Sequence, residues 1–140
     1  MVVLSSYVQG RWVVPDVDEA DAAPVRDAVT GEEIARLSTT GIDMAAALEH
    51  GRTVGGPGLR ALTFHQRAAL LKALASTLRE HRDELYALST RSGATRADAR
   101  FDVDGGIGVL LTYASRGRRE LPNDNVLLDG TLEALGRGGT

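Results

Sequence analysis

Over the first 40 residues, apolar positions come in short clusters rich in β-branched and aromatic side chains. Tyr7-Val8-Gln9-Gly10-Arg11-Trp12-Val13-Val14 suits a pleated, half-buried strand. Pro15 to Pro24 is polar, carries four acids and reads as an exposed connection. Val25 to Val29 and Glu32 to Leu37 flank Thr30-Gly31, which predicts a β-hairpin about that turn, although Ile34 and Leu37 suit a sheet face only imperfectly. From Ile42 onward the apolar period lengthens from about two residues to about 3.6, and the chain turns helical.

Asp43 is placed to cap a short helix through Met44 to Leu48. Gly51 to Gly58, with Gly55-Gly56-Pro57-Gly58, is expected to break it. Thr63 followed by Gln66 fits a capping box, and the helix it opens carries Leu70, Leu71, Leu74 and Leu78 on one apolar stripe. Leu85 and Leu88 extend that stripe after a bend near His81, and Gly93 is the stop. A third helix is predicted from about Ala97 to Ser115, with a stripe of Val103, Ile107, Leu110, Leu111 and Ala114. Gly105, Gly106 and Gly108 lie inside it at a cost of roughly 1 kcal/mol each relative to Ala, which suggests that another backbone comes close there. The reading is therefore a strand pair over 1–40, helices over 41–122 and an irregular tail over 123–140, with no internal repeat.

Composition narrows what such a chain does. A chain of 140 residues is long enough to bury roughly 70% of its unfolded surface. Its aromatics are few, however (Tyr7, Trp12, Phe64, Tyr86, Phe101 and Tyr113), so the core must be built from Leu, Val and Ala. The net charge of -3 is spread along the chain, which excludes the clustered cations of a nucleic-acid surface. The densest basic run, Arg116, Arg118 and Arg119, fits the C-terminal end of a helix dipole. No cysteine is present, which removes disulfides, zinc-thiolate sites and a thiol nucleophile from these residues and fits a reducing compartment. No signal-peptide pattern and no apolar run near the ~20 residues of a membrane span occur. A soluble, cytoplasmic protein that engages neither membrane nor nucleic acid is the expectation.

The candidate chemistry is sparse. Gly105-Gly106-Ile107-Gly108 superficially suggests a nucleotide loop, but it lies within helical periodicity and follows no strand, so close helix packing is the better account. His50, His65 and His81 belong to no metal-ligand spacing and read as surface residues. Asp98, Asp102 and Asp104 do not share one helix face, and Arg96 and Arg100 stand close enough to neutralise the first two. Ser89, Ser92 and Ser115 have no histidine at a suggestive spacing. No catalytic, cofactor-binding or metal-binding residue is assigned.

The residues nevertheless resemble a family. Tyr7-Val8-Gln9-Gly10-Arg11-Trp12 followed by Asp27-Ala28-Val29-Thr30-Gly31-Glu32-Glu33-Ile34 is similar to the N-terminal strand pair of aldehyde dehydrogenases. That family carries an "NG-x-W" segment and then a "P-x-T-G-x" turn; here Gln9 replaces the Asn, and Ala28 or Val29 stands where Pro is common. Gly41 to Ala47, Leu59 to Lys72, Tyr86 to Ser89, Ser92 to Asp98, Asp104 to Gly108, Tyr113 to Ser115 and Arg119 to Pro122 resemble one branch. This is the aldehyde dehydrogenase part of the phenylacetic acid degradation bifunctional proteins, whose relatives oxidise CoA-linked semialdehydes in aerobic benzoate breakdown.

The resemblance implies an α/β parent fold, of which this stretch is the mainly α-helical N-terminal part with its β-hairpin. It implies NADP-dependent oxidation of a CoA-thioester semialdehyde to its acid: a cysteine thiolate attacks, hydride passes to the cofactor, and a glutamate helps water release the acyl group. The family's catalytic and cofactor-binding positions lie downstream of Thr140, so none is carried over, and the chain is expected to be non-catalytic and to bind no cofactor itself. Its implied partners are the remainder of the dehydrogenase and further copies in a homo-oligomer. A small helical interaction module using the same apolar stripes is the alternative.

Overall fold

The structure, a computed structural model, describes residues 2–16, 18, 21–128 and 130. It is mostly helical, with antiparallel strand pairs at its N-terminal end. Strands β1 (Ser6–Val8) and β2 (Arg11–Val13) form one hairpin in the register Ser6↔Val13, Tyr7↔Trp12 and Val8↔Arg11. The stretch read as a single strand is thus split at Gln9-Gly10, where both residues are left-handed, with φ of 54° and 78°. Such a turn matches the twist of its flanking strands, and its second residue is the one that suits it. Tyr7 and Trp12 meet edge to face across this hairpin, 5.3 Å between centroids, yet both remain largely exposed.

Strands β3 (Ala23–Arg26) and β4 (Glu33–Leu37) form the hairpin expected about Thr30-Gly31, with a bulge between Val25 and Arg26. Two boundaries move. The connection ends two residues early, because Ala23 and Pro24 pair with Leu37 and Arg36 in β3, and Pro24 takes an edge position where a residue without an N–H is tolerated. The first strand stops at Arg26, because the Asp27 carboxylate accepts the N–H groups of Val29 (2.8 Å) and Thr30 (3.1 Å) and curls the chain into its turn. These bonds, with Arg91 nearby, hold the Asp27 pKa below the usual carboxylate value. On its other edge β4 meets residues 2–4, through Arg36 N–H to the Val2 carbonyl (3.0 Å) and Leu4 N–H to the Arg36 carbonyl (2.7 Å).

Helix α1 (Met44–His50) begins at Asp43, whose side chain accepts from Ala46 N–H at 2.9 Å. The expected break over Gly51 to Gly58 does not occur. Gly51–Gly55 forms a π-helical turn that runs straight into α2 (Gly56–Ala61). Gly51, Gly55 and Gly56 all hold right-handed helical φ, and the ladder crosses them by a widened bond from Gly56 N–H to the Gly51 carbonyl. Pro57 falls in the first turn of α2, where its missing N–H costs little.

Helix α3 (Phe64–Glu80) opens with the full capping box: Gln66 N–H donates to Thr63 Oγ1 and Thr63 N–H to Gln66 Oε1. The predicted bend is at His81, after which α4 (Arg82–Arg91) runs to Gly93, whose φ of 92° ends it. The third predicted helix is longer than its apolar stripe, and α5 runs Arg96–Glu120. Leu121 to Asn125 then folds back over the start of α3, where Phe64 N–H donates to the Asp124 carbonyl at 2.8 Å. The tail beyond this, 129 and 131–140, lies outside the described residues.

Candidate functional site

The surface with the most to offer is built where α3 crosses α5. The two helices run in opposite directions, so Ala68 near the start of one faces Gly117 near the end of the other. The buried side chains of these two helices are not the predicted leucines. They are Ala68 and Ala75 from α3 and Ala99, Ile107 and Ala114 from α5. Small residues let helix axes approach at the short end of the usual ~8–10 Å range. An ideal Cβ on Gly117 would sit 3.5 Å from the Ala68 Cβ, so of the glycines in α5 it is this unremarked one that meets a described neighbour. Gly105, Gly106 and Gly108 have no described atom within 4 Å of such a Cβ; the close backbone expected there is not among the described residues.

The leucine stripe is not sealed: Leu71 and Leu78 are half-buried, and Leu70 and Leu74 are exposed. Leu70 is 54% exposed, Leu74 49% and Phe101 81%. Among the described residues no large side chain is fully buried, and six of the seven buried apolar residues are alanines. Grooves of about 610 Å³ and 350 Å³ flank the alanine seam on its two sides. The larger has a floor that includes Ala69, Ala73 and Leu111 and a rim of His65, Lys72, Arg118 and Arg119. The smaller includes Phe64, Leu71 and Tyr113, with Arg116 and Glu120 at its edge.

The residues weighed for chemistry are scattered by the fold. His81 is on the surface, 3.0 Å from Glu84, and His50 is partly buried in the last turn of α1. His65 is not the surface residue it was read as: its Nε2 lies 3.0 Å from the Leu121 carbonyl, brought there by the return of the chain after α5. Asp98 accepts from Thr95 Oγ1 at 2.6 Å within the α5 cap, whereas Asp104 accepts the Tyr86 hydroxyl on both carboxylate oxygens at 2.8 Å. That bond ties α4 to α5. Partial desolvation, and then the Asp104 carboxylate, raise the Tyr86 phenol above its ordinary value. Ser92 Oγ donates to the Ser89 carbonyl and serves only the end of α4. Among the described residues no three His, Cys, Asp or Glu side chains gather where they would hold a metal ion, and no helix is long and apolar enough to cross a membrane.

Residues 14–133 match the aldehyde dehydrogenase family model. Over 116 residues the chain is 47% identical to a 3,4-dehydroadipyl-CoA semialdehyde dehydrogenase of Aromatoleum evansii, covering 82% of this chain and 22% of that protein. Over 115 residues it is 26% identical to the succinate-semialdehyde dehydrogenase (NADP+) GabD of Escherichia coli strain K12, covering 81% of this chain and 23% of that one. The chain therefore spans little more than a fifth of the length of these relatives. With the second hairpin, the helix caps and the whole alanine seam inside the matched stretch, the assignment is plain: the chain belongs to the aldehyde dehydrogenase family.

Proposed function

We propose that this chain is the non-catalytic N-terminal segment of an NADP-dependent dehydrogenase that oxidises a CoA-linked semialdehyde to its acid in the breakdown of aromatic compounds such as phenylacetate or benzoate. The observation that carries the reading is the 47% identity with a CoA-semialdehyde dehydrogenase, well above the 26% with an enzyme named for a free semialdehyde. The whole enzyme is an α/β protein, assembled from several copies in the cytoplasm. Within it, residues 1–40 supply strand pairs and 41–122 supply helices whose leucine faces are covered by the remainder of the polypeptide.

The absence of cysteine from these 140 residues supports a structural part in the reaction, since the thiolate must come from elsewhere. The residues present also do not fit a nicotinamide dinucleotide. Gly105, Gly106 and Gly108 lie in mid-helix, where their N–H groups belong to the α5 ladder and cannot cradle a phosphate. No step of the reaction is assigned to them.

The test is turnover by the polypeptide read from the coding DNA through and beyond the codon for Thr140. Reduction of NADP, in preference to NAD, with a CoA-linked semialdehyde supports the proposal. A stop codon at that point, or activity only on free semialdehydes, refutes it.

A further inference from the structure

The larger groove concentrates positive charge on a chain whose net charge is -3. Lys72 stands midway along α3, and Arg118 and Arg119 stand in the last turn of α5, all three on one rim. No acidic side chain lines this groove, and none of the three cations has an ion-pair partner among the described residues. The adjacent Arg116, by contrast, lies 3.9 Å from Glu120 and lines the opposite groove. Complementing the helix dipole accounts for cations at the end of α5 but not for Lys72. The floor between them is apolar, and the volume of about 610 Å³ falls within the range of sites for cofactor-sized ligands.

We infer that this groove receives the CoA portion of a CoA thioester, with its phosphates on Arg118, Arg119 and Lys72 and its pantetheine arm along the alanine floor. The inference rests on the substrate class proposed above. Guanidinium groups suit phosphate because they donate in pairs, and the lysine adds a point charge. The negative end of α5 opposes an anion, but its charge of roughly -0.5 is outweighed by the three cations.

Calorimetric titration with CoA of the whole dehydrogenase polypeptide that carries this chain tests this directly. The expected result is one CoA bound per chain, less dephospho-CoA than CoA, and weakening as salt is added. Arg118→Ala with Arg119→Ala, and separately Lys72→Ala, should each lower affinity about tenfold or more. Arg52→Ala, on the π turn, should leave it unchanged. All three groove side chains are exposed, and far-UV circular dichroism checks that the variants keep their helices. No binding at millimolar CoA, unaltered binding by the groove variants, or equal binding of inorganic pyrophosphate overturns the inference. Turnover by the whole dehydrogenase is a separate readout, so the substrate class can stand while this site falls.

Discussion

Replacing Gly105 and Gly106 with alanine tests the account of α5 most directly. Both glycines lie well inside a 25-residue helix, and a Cβ built at either position meets no described atom within 4 Å. No overpacking term therefore opposes the change. What remains is helix propensity, worth about 0.8–1.0 kcal/mol per Gly→Ala replacement in a helix interior. The double variant should gain about 2 kcal/mol, a large share of the ~5–15 kcal/mol typical of a whole domain. Urea unfolding followed by far-UV circular dichroism reads this as a higher midpoint at unchanged slope. Gly117→Leu is the contrast: its added atoms point at Ala68, whose Cβ is 3.5 Å from a Cβ at that position, and the change should cost about 1–3 kcal/mol. Loss of stability in either single alanine variant would refute the reasoning, because it would mean that another part of the chain already lies against that face of α5.

Three further outcomes follow from the same structure. With six alanines among its seven buried apolar residues and Leu70, Leu74 and Phe101 exposed, the isolated chain should bind a hydrophobic dye and melt broadly; a sharp, dye-free transition would contradict this. Gln9→Asn should stabilise the first hairpin by up to about 1 kcal/mol, because asparagine tolerates the left-handed φ of 54° better; unchanged amide exchange in β1 and β2 would count against it. The pKa of Asp27 is lowered by the Val29 and Thr30 N–H groups, so its contribution to folding is present above the ordinary carboxylate value and is lost as pH falls through the depressed one. Protection of the Val29 and Thr30 amides, measured against their intrinsic exchange rates, should therefore fall on acidification in the parent chain but not in Asp27→Asn, and an equal fall in both would refute the assignment.

Where the fold was legible in the sequence, the signals were local. The caps at Asp43 and Thr63, the bend at His81 and the stop at Gly93 each depend on a few neighbouring residues, and each stands where the spacing places it. Gly55-Gly56-Pro57-Gly58 misled because glycine and proline signal breaks only on average; a π turn carries the ladder through them. The core misled for a different reason. Periodicity weights leucine, and the leucine stripe is there, but which side of a helix is buried depends on what it meets. In this chain α3 meets α5 largely through alanines, while Leu71 and Leu78 are half-buried and Leu70 and Leu74 are exposed. The cationic rim had a local signal only in the run Arg116, Arg118 and Arg119, since Lys72 joins it only through the crossing of α3 and α5.

The return of the chain after α5 has a consequence for the order of folding. Thr63 Oγ1 donates to Asn123 Oδ1 at 2.8 Å, Phe64 N–H to the Asp124 carbonyl, and Arg67 to the Asn125 carbonyl at 3.4 Å. These bonds join positions 58 to 60 residues apart, whereas most of the helical ladder is local. Helices form in about a microsecond or less, but this clasp waits on a long loop closing. On a ribosome adding roughly 5–20 residues per second, α3 stands complete for seconds before its fastening segment emerges. During that interval its alanine seam is open, and the nascent chain's exposure to misassembly lasts for the time between synthesis of Glu80 and synthesis of Asn125.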